Sequence, residues 1–384
     1  MAGGTGRPAT RARGRGRRAP RRLRGGVAVT PARIAIIGSA RHPIRQPFAG
    51  GLEAHTWALG RALRQRGHEV TLFAGPGSDP ALGVHEIPVH WPRLSETARA
   101  DVSMTADAWL EEHHAYLTLM LELSRGRQFD VVHNNCLHHL PIAMAPAVSA
   151  PMLATLHTPP TPWLESAIQT GPCPVTFVAV SEHTARAWRP SATAQVIRNG
   201  VDLDLWPAGP GGASAIWFGR FVPEKGADLA IRAAQAAGLE LDLVGPVADR
   251  TYFEERIRPH LGPRTRYLGH LDHAALARYV GSAAVTLVTP RWDEPYGLVV
   301  AESLACGTPV AAFDRGAVGE VLDHECGVLA GPDDVAGLAA AALRARRLPR
   351  ARARARAVHH CSLTGMIDAY ERLYERLAAR EPAA

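Results

Sequence analysis

Short apolar and β-branched runs alternate with longer amphipathic segments along most of this chain. Short runs bounded by Gly or Pro are typical of buried strands, whereas apolar positions that recur with the helical period are typical of helices. In the first half the pattern predicts strands over residues 33–38, 69–74, 130–133, 152–157 and 175–180, and helices over 52–66, 107–123 and 183–188. In the second half it predicts strands over 215–219, 241–245, 266–268, 285–289 and 309–313, and helices over 227–237, 251–260, 273–280, 298–306 and 335–346.

Strands that alternate with helices predict parallel sheets joined by right-handed crossovers. Because the pattern runs through two blocks, we expect an α/β fold with two Rossmann-like domains and a ligand site in the cleft at the carboxyl ends of the strands. The expected parts are a tail over residues 1–26, an N-terminal domain over 27–198, a C-terminal domain over 199–362 and a final segment over 363–384. Residues 366–377 carry Tyr and Leu at helical spacing, which indicates a packed amphipathic helix.

The positive charge of the chain is local. The 384 residues are 46% hydrophobic and carry a formal net charge of +7, but nine arginines and no acid lie in residues 1–24. Without these nine, 34 basic side chains stand against 36 acidic ones, which disfavours a protein that binds nucleic acid over its whole surface. We expect the tail to be disordered or an upstream extension, with a basic arm for nucleic acid or anionic lipid as the alternative. It lacks the apolar core of a secretory signal.

Five widely spaced cysteines, an odd number, indicate neither a disulfide scaffold nor a structural zinc site. They fit a reducing compartment, so we expect a cytoplasmic protein, with a peripheral position at the inner face of the membrane left open. The longest uncharged stretch, 137–156, contains three prolines and predicts a buried helix, a turn and a strand instead of a membrane span. Residues 344–356 contain seven arginines and no acid, and predict a solvated helix face.

Two glutamates bracket a turn between a predicted strand and a predicted helix. Glu294 lies in the loop, Gly297 and Leu298 begin the helix, and Glu302 lies about one turn further on. The free N–H groups at a helix start suit a phosphate, and carboxylates accept hydrogen bonds from the hydroxyls of a sugar or a ribose. Taken alone, the pattern is equally consistent with two ordinary acids of a loop and a helix.

Two cations and a glycine pair also follow predicted strands. Arg220 and Lys225 flank a turn before a helix, and together they could hold a diphosphate, although two surface cations would look the same. Gly50 and Gly51 allow an anion to approach the next helix start. The pair does not belong to a G-x-G-x-x-G motif, which disfavours a nicotinamide dinucleotide.

Two histidines lie at the ends of predicted strands. His157 ends one strand and His133 ends the strand before it. An isolated histidine at such a position is more often structural than functional, so these residues alone leave both roles open.

Taken together and in this order, these segments resemble the GT-B glycosyltransferases of family 4, the "glycosyl transferases group 1" set. The resemblance runs from about residue 33 to residue 380 and is densest over 218–226, 294–310 and 316–320, while 199–202 matches the interdomain motif of the family. It implies two Rossmann-like domains whose parallel sheets face each other across a cleft, with a C-terminal helix that crosses back onto the N-terminal domain.

The resemblance also implies a binding site for the diphosphate of a nucleotide sugar. Arg220 and Lys225 would bind the diphosphate, and Gly51 with the backbone of Gly297 and Leu298 would complete the phosphate cradle. The expected donor is a UDP-sugar, with GDP-mannose as the second choice.

The remaining roles implied by the resemblance concern the sugar. Glu294 would hold the hydroxyls of the donor sugar, Glu302 would hold the ribose, and His157 would lie near the anomeric centre and the primary hydroxyl. The implied activity is that of a retaining hexosyltransferase that uses front-face substitution and needs no cofactor and no catalytic metal. The implied partners are the donor and an unidentified lipid, sugar or small-metabolite acceptor, with no specific nucleic acid.

Asp202 and Asp204 spell the D-x-D pattern that binds manganese in enzymes of another fold, but they fall in the interdomain motif and are interpreted as a coincidence. Three alternatives remain open. A sugar-nucleotide epimerase shares the architecture, a non-catalytic protein would bind through its basic tail, and a phosphorylase would need a pyridoxal cofactor held by a lysine.

Overall fold

The computed structural model describes residues 30–89, 92–103, 106–171 and 173–379, and the expected tail over residues 1–26 lies outside them. The first half forms a parallel sheet in the order β3-β2-β1-β4-β5-β6-β7. Its strands are β1 (Arg33–Ile37), β2 (Glu69–Ala74), β3 (Val84–Glu86), β4 (Val131–Asn134), β5 (Met152–Leu156), β6 (Val175–Ala179) and β7 (Ala194–Val196). The central strands are apolar and buried because helices cover both faces of the sheet.

The second half repeats this arrangement with a parallel sheet in the order β10-β9-β8-β11-β12-β13. Its strands are β8 (Ala215–Phe218), β9 (Leu241–Val244), β10 (Thr265–Tyr267), β11 (Val285–Val288), β12 (Val310–Phe313) and β13 (Gly327–Ala330). In each sheet the first strand lies inside the sheet, and the later strands are added on both sides of it. This reversal of strand order opens a crevice at the carboxyl ends of the strands.

Three strands were missed by the sequence pattern: β3, β7 and β13 lie at sheet edges. They are three or four residues long, and each exposes part of its length to solvent. An edge strand covered on one side does not need a continuous apolar run, so the hydrophobic pattern could not reveal them.

The helices of the first half pack around its sheet. They are α1 (Gly51–Gln65), α2 (Glu96–Arg99), α3 (Asp107–Leu123), α4 (Leu140–Ala143), α5 (Pro162–Gln169) and α6 (Glu182–Trp188). In the second half the helices are α7 (Ala227–Ala236), α8 (Arg250–Tyr252), α9 (His273–Ser282), α10 (Leu298–Ala305), α11 (Val318–Val321), α12 (Val335–Ala345), α13 (Arg350–His360) and α14 (Leu363–Ala378).

The helix predicted over residues 251–260 is irregular. After α8 the chain forms a π-helical turn over Phe253–Ile257 and a 3₁₀ turn over Arg258–His260. Pro259 lacks an N–H and restricts the residue before it, which accounts for the loss of regular α-helix here.

The last helix, α14, packs against the sheet of the first half, although it follows the second half in the chain. Its Ile367, Tyr370 and Tyr374 are buried in the same core cluster as Ile34 of β1. The fold class expected from the sequence is therefore confirmed, with two Rossmann-like parallel sheets and a C-terminal helix that crosses back.

The arginine-rich run was predicted to be a solvated helix face, and this prediction is wrong for several of its members. Arg350 donates hydrogen bonds to the carbonyls of Gly281 and Cys306, at the ends of α9 and α10. Arg354 donates to the carbonyls of Trp206 and Ala305. The last carbonyls of a helix lack partners within the helix and carry negative partial charge, so guanidinium groups suit them.

None of the helices in the described part of the chain combines the length and the apolar character that a membrane span requires.

Candidate active site

A cavity of about 750 Å³ lies where the carboxyl ends of the two sheets face each other. It is lined by the eight site residues expected from the sequence, namely Gly51, His157, Arg220, Lys225, Glu294, Gly297, Leu298 and Glu302. The structure thus brings these residues together, and their individual roles remain predictions.

Lys225 is fixed by a tight turn between β8 and α7. Gly226, the next residue, has φ +66°, and a Cβ there would collide with the carbonyl oxygen of Thr289. The Thr289 hydroxyl in turn donates to the carbonyl of Gly226 at 2.8 Å. A glycine is needed here because the backbone is left-handed and closely approached.

The Lys225 ammonium points into an acidic and aromatic corner. Its Nζ is 2.6 Å from Oε2 of Glu294 and lies 4.9 Å from the centre of the Trp292 ring. Trp292 Nε1 donates to the same carboxylate oxygen at 3.0 Å. In the free protein, therefore, Lys225, the residue expected to bind the diphosphate, and Glu294, the residue expected to bind the sugar, hold each other in place.

Helix α10 begins at the floor of the cavity. Its N-terminal cap, Gly297, has φ +88°, which an L-residue with a side chain rarely adopts. The first turn of a helix has N–H groups without partners in the helix, and its end carries partial positive charge. The cavity therefore meets an anion-binding end of a helix.

The glycine pair, Gly50 and Gly51, faces Arg220 and the start of α10. A Cβ on Gly51 would be 3.7 Å from Cδ2 of Leu298, and one on Gly50 would be 3.8 Å from Nε of Arg220. Any larger side chain at these two positions would enter the space between the domains. The missing side chains keep open the space that Arg220 and the start of α10 face.

Glu302 lies on the buried face of α10, with 7% of its surface exposed. Burial raises the pKa of its carboxyl to about 8, because charge is disfavoured away from water. In the free protein at neutral pH the group is mostly a carboxylic acid.

His157 donates a hydrogen bond from Nε2 to Oδ1 of Asn135 at 2.9 Å. Burial, then the neighbouring imidazoles of His55 and His133, lower the pKa of His157 well below its usual range. The ring is therefore neutral at pH 7 and acts as a hydrogen-bonding group and not as a cation.

The start of α6 grips the loop that carries Glu294 across the domain boundary. Hydroxyl groups of Ser181 and Thr184 donate to the carbonyl of Pro295 at 2.6 and 3.0 Å. The Glu320 carboxylate accepts from the backbone N–H of Glu182 at 2.9 Å and of His183 at 2.6 Å. The glutamate loop is thus positioned by both domains.

Two other candidates lie outside the cavity lining. His133 is buried, and its ring nitrogens are 2.8 Å from Tyr374 Oη and Thr155 Oγ1, so it ties α14 to the sheet. Asp202 is 3.2 Å from Nη1 of Arg61 and caps the N–H of Asp204. In the described ranges no group of three metal-ligating side chains lies together.

Comparison with known proteins identifies the family. Residues 49–205 match the family described as "Glycosyltransferase Family 4", and residues 212–347 match "Glycosyl transferases group 1". A glycogen synthase of Mycobacterium tuberculosis is 30% identical over 341 residues, which cover 76% of this chain and 81% of that protein. The chain belongs to glycosyltransferase family 4. It is a hexosyltransferase of the GT-B type that uses a nucleotide-sugar donor.

Other family members and solved structures agree with this assignment. A phosphatidyl-myo-inositol mannosyltransferase of Mycobacterium leprae is 29% identical over 336 residues, which cover 76% of this chain and 82% of that protein. A sucrose-phosphate synthase from Thermosynechococcus elongatus superimposes with a TM-score of 0.72 at 21% identity, covering 90% of this chain and 99% of that one. The HepE protein of Anabaena, solved with UDP-glucose, gives a TM-score of 0.69 at 16% identity over 90% of this chain and 100% of that one.

Sequence reasoning missed several residues of this glycosyltransferase site. Trp292, two positions before Glu294, and Asn135, two positions after His133, could have been inferred from their neighbours. For Lys225, which was predicted, the composition gives a further signal, because it is the only lysine among the 43 lysines and arginines of the chain.

Proposed function

We propose that this enzyme transfers a hexosyl group from a UDP-sugar to an acceptor hydroxyl with retention of configuration and without a catalytic metal. GDP-mannose is the second candidate donor. The observation that carries the proposal is the convergence of Arg220, Lys225 and the start of α10 on a cavity that also contains Glu294 and Glu302.

The cations and the helix end would bind the diphosphate. Lys225 is held by Glu294 in the free enzyme, so donor binding exchanges partners at this corner. The diphosphate takes the ammonium, and the Glu294 carboxylate is freed to accept hydrogen bonds from the sugar hydroxyls. Charge that develops on the leaving diphosphate is stabilised by groups already in place, which is the largest catalytic effect in many enzymes.

The proposed roles of the two acids favour front-face substitution as the route to retention. A double-displacement mechanism needs a free carboxylate as nucleophile. In the donor complex Glu294 would accept hydrogen bonds from the sugar hydroxyls and Glu302 from the ribose, so neither carboxylate would be free to attack the anomeric carbon. Front-face substitution then remains, in which the acceptor oxygen bonds to the anomeric carbon as the bond to the diphosphate breaks. The departing phosphate oxygen accepts the proton of the acceptor.

The preference for a UDP-sugar is supported by the Anabaena neighbour solved with UDP-glucose. The relatives named as mannosyltransferases support a mannosyl donor as the alternative, for which GDP-mannose is our candidate. Both donors place a diphosphate at Arg220 and Lys225.

The single lysine permits a specific test. An amine-directed acylating reagent can modify only Lys225 and the N-terminal amine, and mass spectrometry separates the two. UDP at saturating concentration should protect Lys225, and Lys225→Ala and Arg220→Ala should each lower kcat/KM for the donor by roughly 10²-fold. Arg266→Ala is the control, since Arg266 pairs with Asp242 away from the cavity.

Unprotected labelling of Lys225 in the presence of UDP, or wild-type turnover in either alanine variant, would refute the assignment.

A further inference from the structure

The N-terminal half of the cavity carries a group of rings to which the proposed donor site assigns no role. We define the aromatic wall as Trp109, Tyr116, His138, His139 and Trp163, all of which line the cavity. They come from α3, the segment before α4, and α5. Trp163 is 59% exposed, a large fraction for an indole in a folded protein. The meeting of rings from three segments at one wall of the cavity indicates a surface that binds a ligand.

The wall is a stack. The rings of Tyr116 and His138 are 4.7 Å apart with 26° between their planes, and those of His138 and His139 are 4.4 Å apart at 22°. His139 and Trp163 continue the series at 5.1 Å and 23°. The series therefore ends on an exposed indole, beside which Trp109 lies at 6.1 Å. A flat, partly exposed ring at the end of a supported stack offers a face for another ring.

The wall is electrically neutral at pH 7. Burial and the neighbouring imidazoles lower the pKa of His138 to about 3 and also lower the pKa of His139. Among the described lining residues that precede the second sheet, Arg41 is the one arginine or lysine, and its guanidinium is 2.7 Å from the Glu112 carboxylate. A phosphate on the ligand would therefore meet no unpaired arginine or lysine on this side.

The imidazoles nevertheless provide polar atoms. The N–H of Leu140 donates to Nδ1 of His138 at 3.2 Å, so the ring proton of the neutral form is on Nε2. This Nε2 is buried and has no hydrogen-bond partner among the described residues. An unpaired buried donor is costly, and a ligand hydroxyl could satisfy it once a small shift of the stacked rings opens this nitrogen to the cavity.

We propose that the aromatic wall is the acceptor subsite and that the acceptor is a neutral saccharide, an inference that rests on the proposed function. A pyranose ring has a face of C–H bonds, whose slight positive charge is attracted to the negative face of an indole. Its hydroxyl groups reach the imidazoles at the same time. An alkyl chain would stack on Trp163 but leave the His138 donor unpaired, and a phosphorylated acceptor would lack a cation.

The test uses the full chain and measures saccharide binding and transfer separately. Maltopentaose and a matching mannopentaose serve as neutral probes, and myo-inositol 1-phosphate and phosphatidylinositol vesicles represent the anionic and lipid alternatives. Binding is followed by tryptophan fluorescence, first without and then with saturating UDP.

Trp163→Ala should weaken saccharide binding about tenfold, and raise the acceptor KM by a similar factor, as expected for loss of one aromatic contact. Trp163→Phe should restore part of the loss, while the Kd for UDP should not change. Tyr279→Ala is the matched control, because Tyr279 is 41% exposed and lies outside the cavity lining, and it should change nothing.

The inference is overturned if neither neutral probe binds, if only the phosphorylated or vesicle probe is bound or glycosylated, or if Trp163→Ala leaves saccharide affinity unchanged. If the enzyme binds a saccharide but has no affinity for UDP, the proposed donor site is refuted while the aromatic wall is still supported as a saccharide subsite. The two failures are therefore distinguishable.

Discussion

We predict that nucleotide binding releases a proton from Glu302. Its pKa of about 8 means that the carboxyl is mostly protonated at pH 7 before the nucleotide binds. Two ribose hydroxyls would donate to it, and a carboxylate accepts such bonds better than a carboxylic acid does. Binding should therefore lower the pKa and release roughly 0.9 proton per nucleotide at pH 7, the fraction protonated beforehand.

Calorimetry of UDP binding in two buffers of different ionisation enthalpy measures this proton directly. The affinity for UDP should rise up to about tenfold per pH unit below pH 8 and then level off. Glu302→Gln should abolish the release and weaken binding at pH 8. Glu294→Gln is the comparison variant, which should lower kcat and keep the proton release, and it should not weaken UDP binding because it frees Lys225 from its partner. Equal proton release in wild type and Glu302→Gln would refute the ribose assignment.

The same group gives a stability test whose sign can be worked out. Because the folded state holds the proton more tightly than the unfolded chain, whose pKa is near 4.5, the stability from Glu302 is fully present below pH 4.5. It is lost as the pH rises towards 8. Between pH 6 and 8 the unfolding free energy of the wild type should fall by roughly 2 kcal/mol more than that of Glu302→Gln. Urea titrations at both pH values check this, and parallel pH profiles would contradict it.

Three further predictions concern the metal and the scaffold. Donor turnover should survive excess EDTA, because Arg220, Lys225 and the start of α10 would neutralise the diphosphate, and loss of activity restored by Mn²⁺ would contradict the metal-independent mechanism. Glu320→Ala should raise the donor KM severalfold with little change in Tm, because it removes the contact between α11 and the start of α6, which itself holds the glutamate loop at Pro295; an unchanged KM would show that the domain contact is dispensable. Arg354→Ala should lower the unfolding free energy by about 2–3 kcal/mol, because buried carbonyls lose their donors. The control variant Arg352→Ala should lower it by less than about 1 kcal/mol, because the Arg352 side chain is 61% exposed.

The parts of the fold that could be predicted from the sequence are those with a strong local pattern. Central strands such as β1 and β5 are buried on both faces and read as continuous apolar runs. Edge strands such as β3 lack that pattern. The arginines of α13 were misjudged because the acceptors of Arg354 are carbonyls far away in sequence, and no local pattern reports them.

Some residues of the candidate site could likewise be predicted from the sequence, and others could not. Arg220, Lys225 and Glu294 follow strand ends, and parallel strands bring those ends to one edge, so their convergence could be predicted. The aromatic wall could not, because Trp109, His138 and Trp163 come from separate segments. The raised pKa of Glu302 depends on its burial, which is a property of the packed domain.

The configuration of the first product tests the proposed retaining mechanism most directly. With an α-linked UDP-sugar and the acceptor that the binding screen selects, proton NMR of the earliest product reports whether the new linkage is α or β. In the proposed mechanism Arg220 and Lys225 would hold the leaving diphosphate on one face of the sugar, and the acceptor would attack from that face. The predicted product is therefore α-linked, and a β-linked first product would contradict the proposed mechanism.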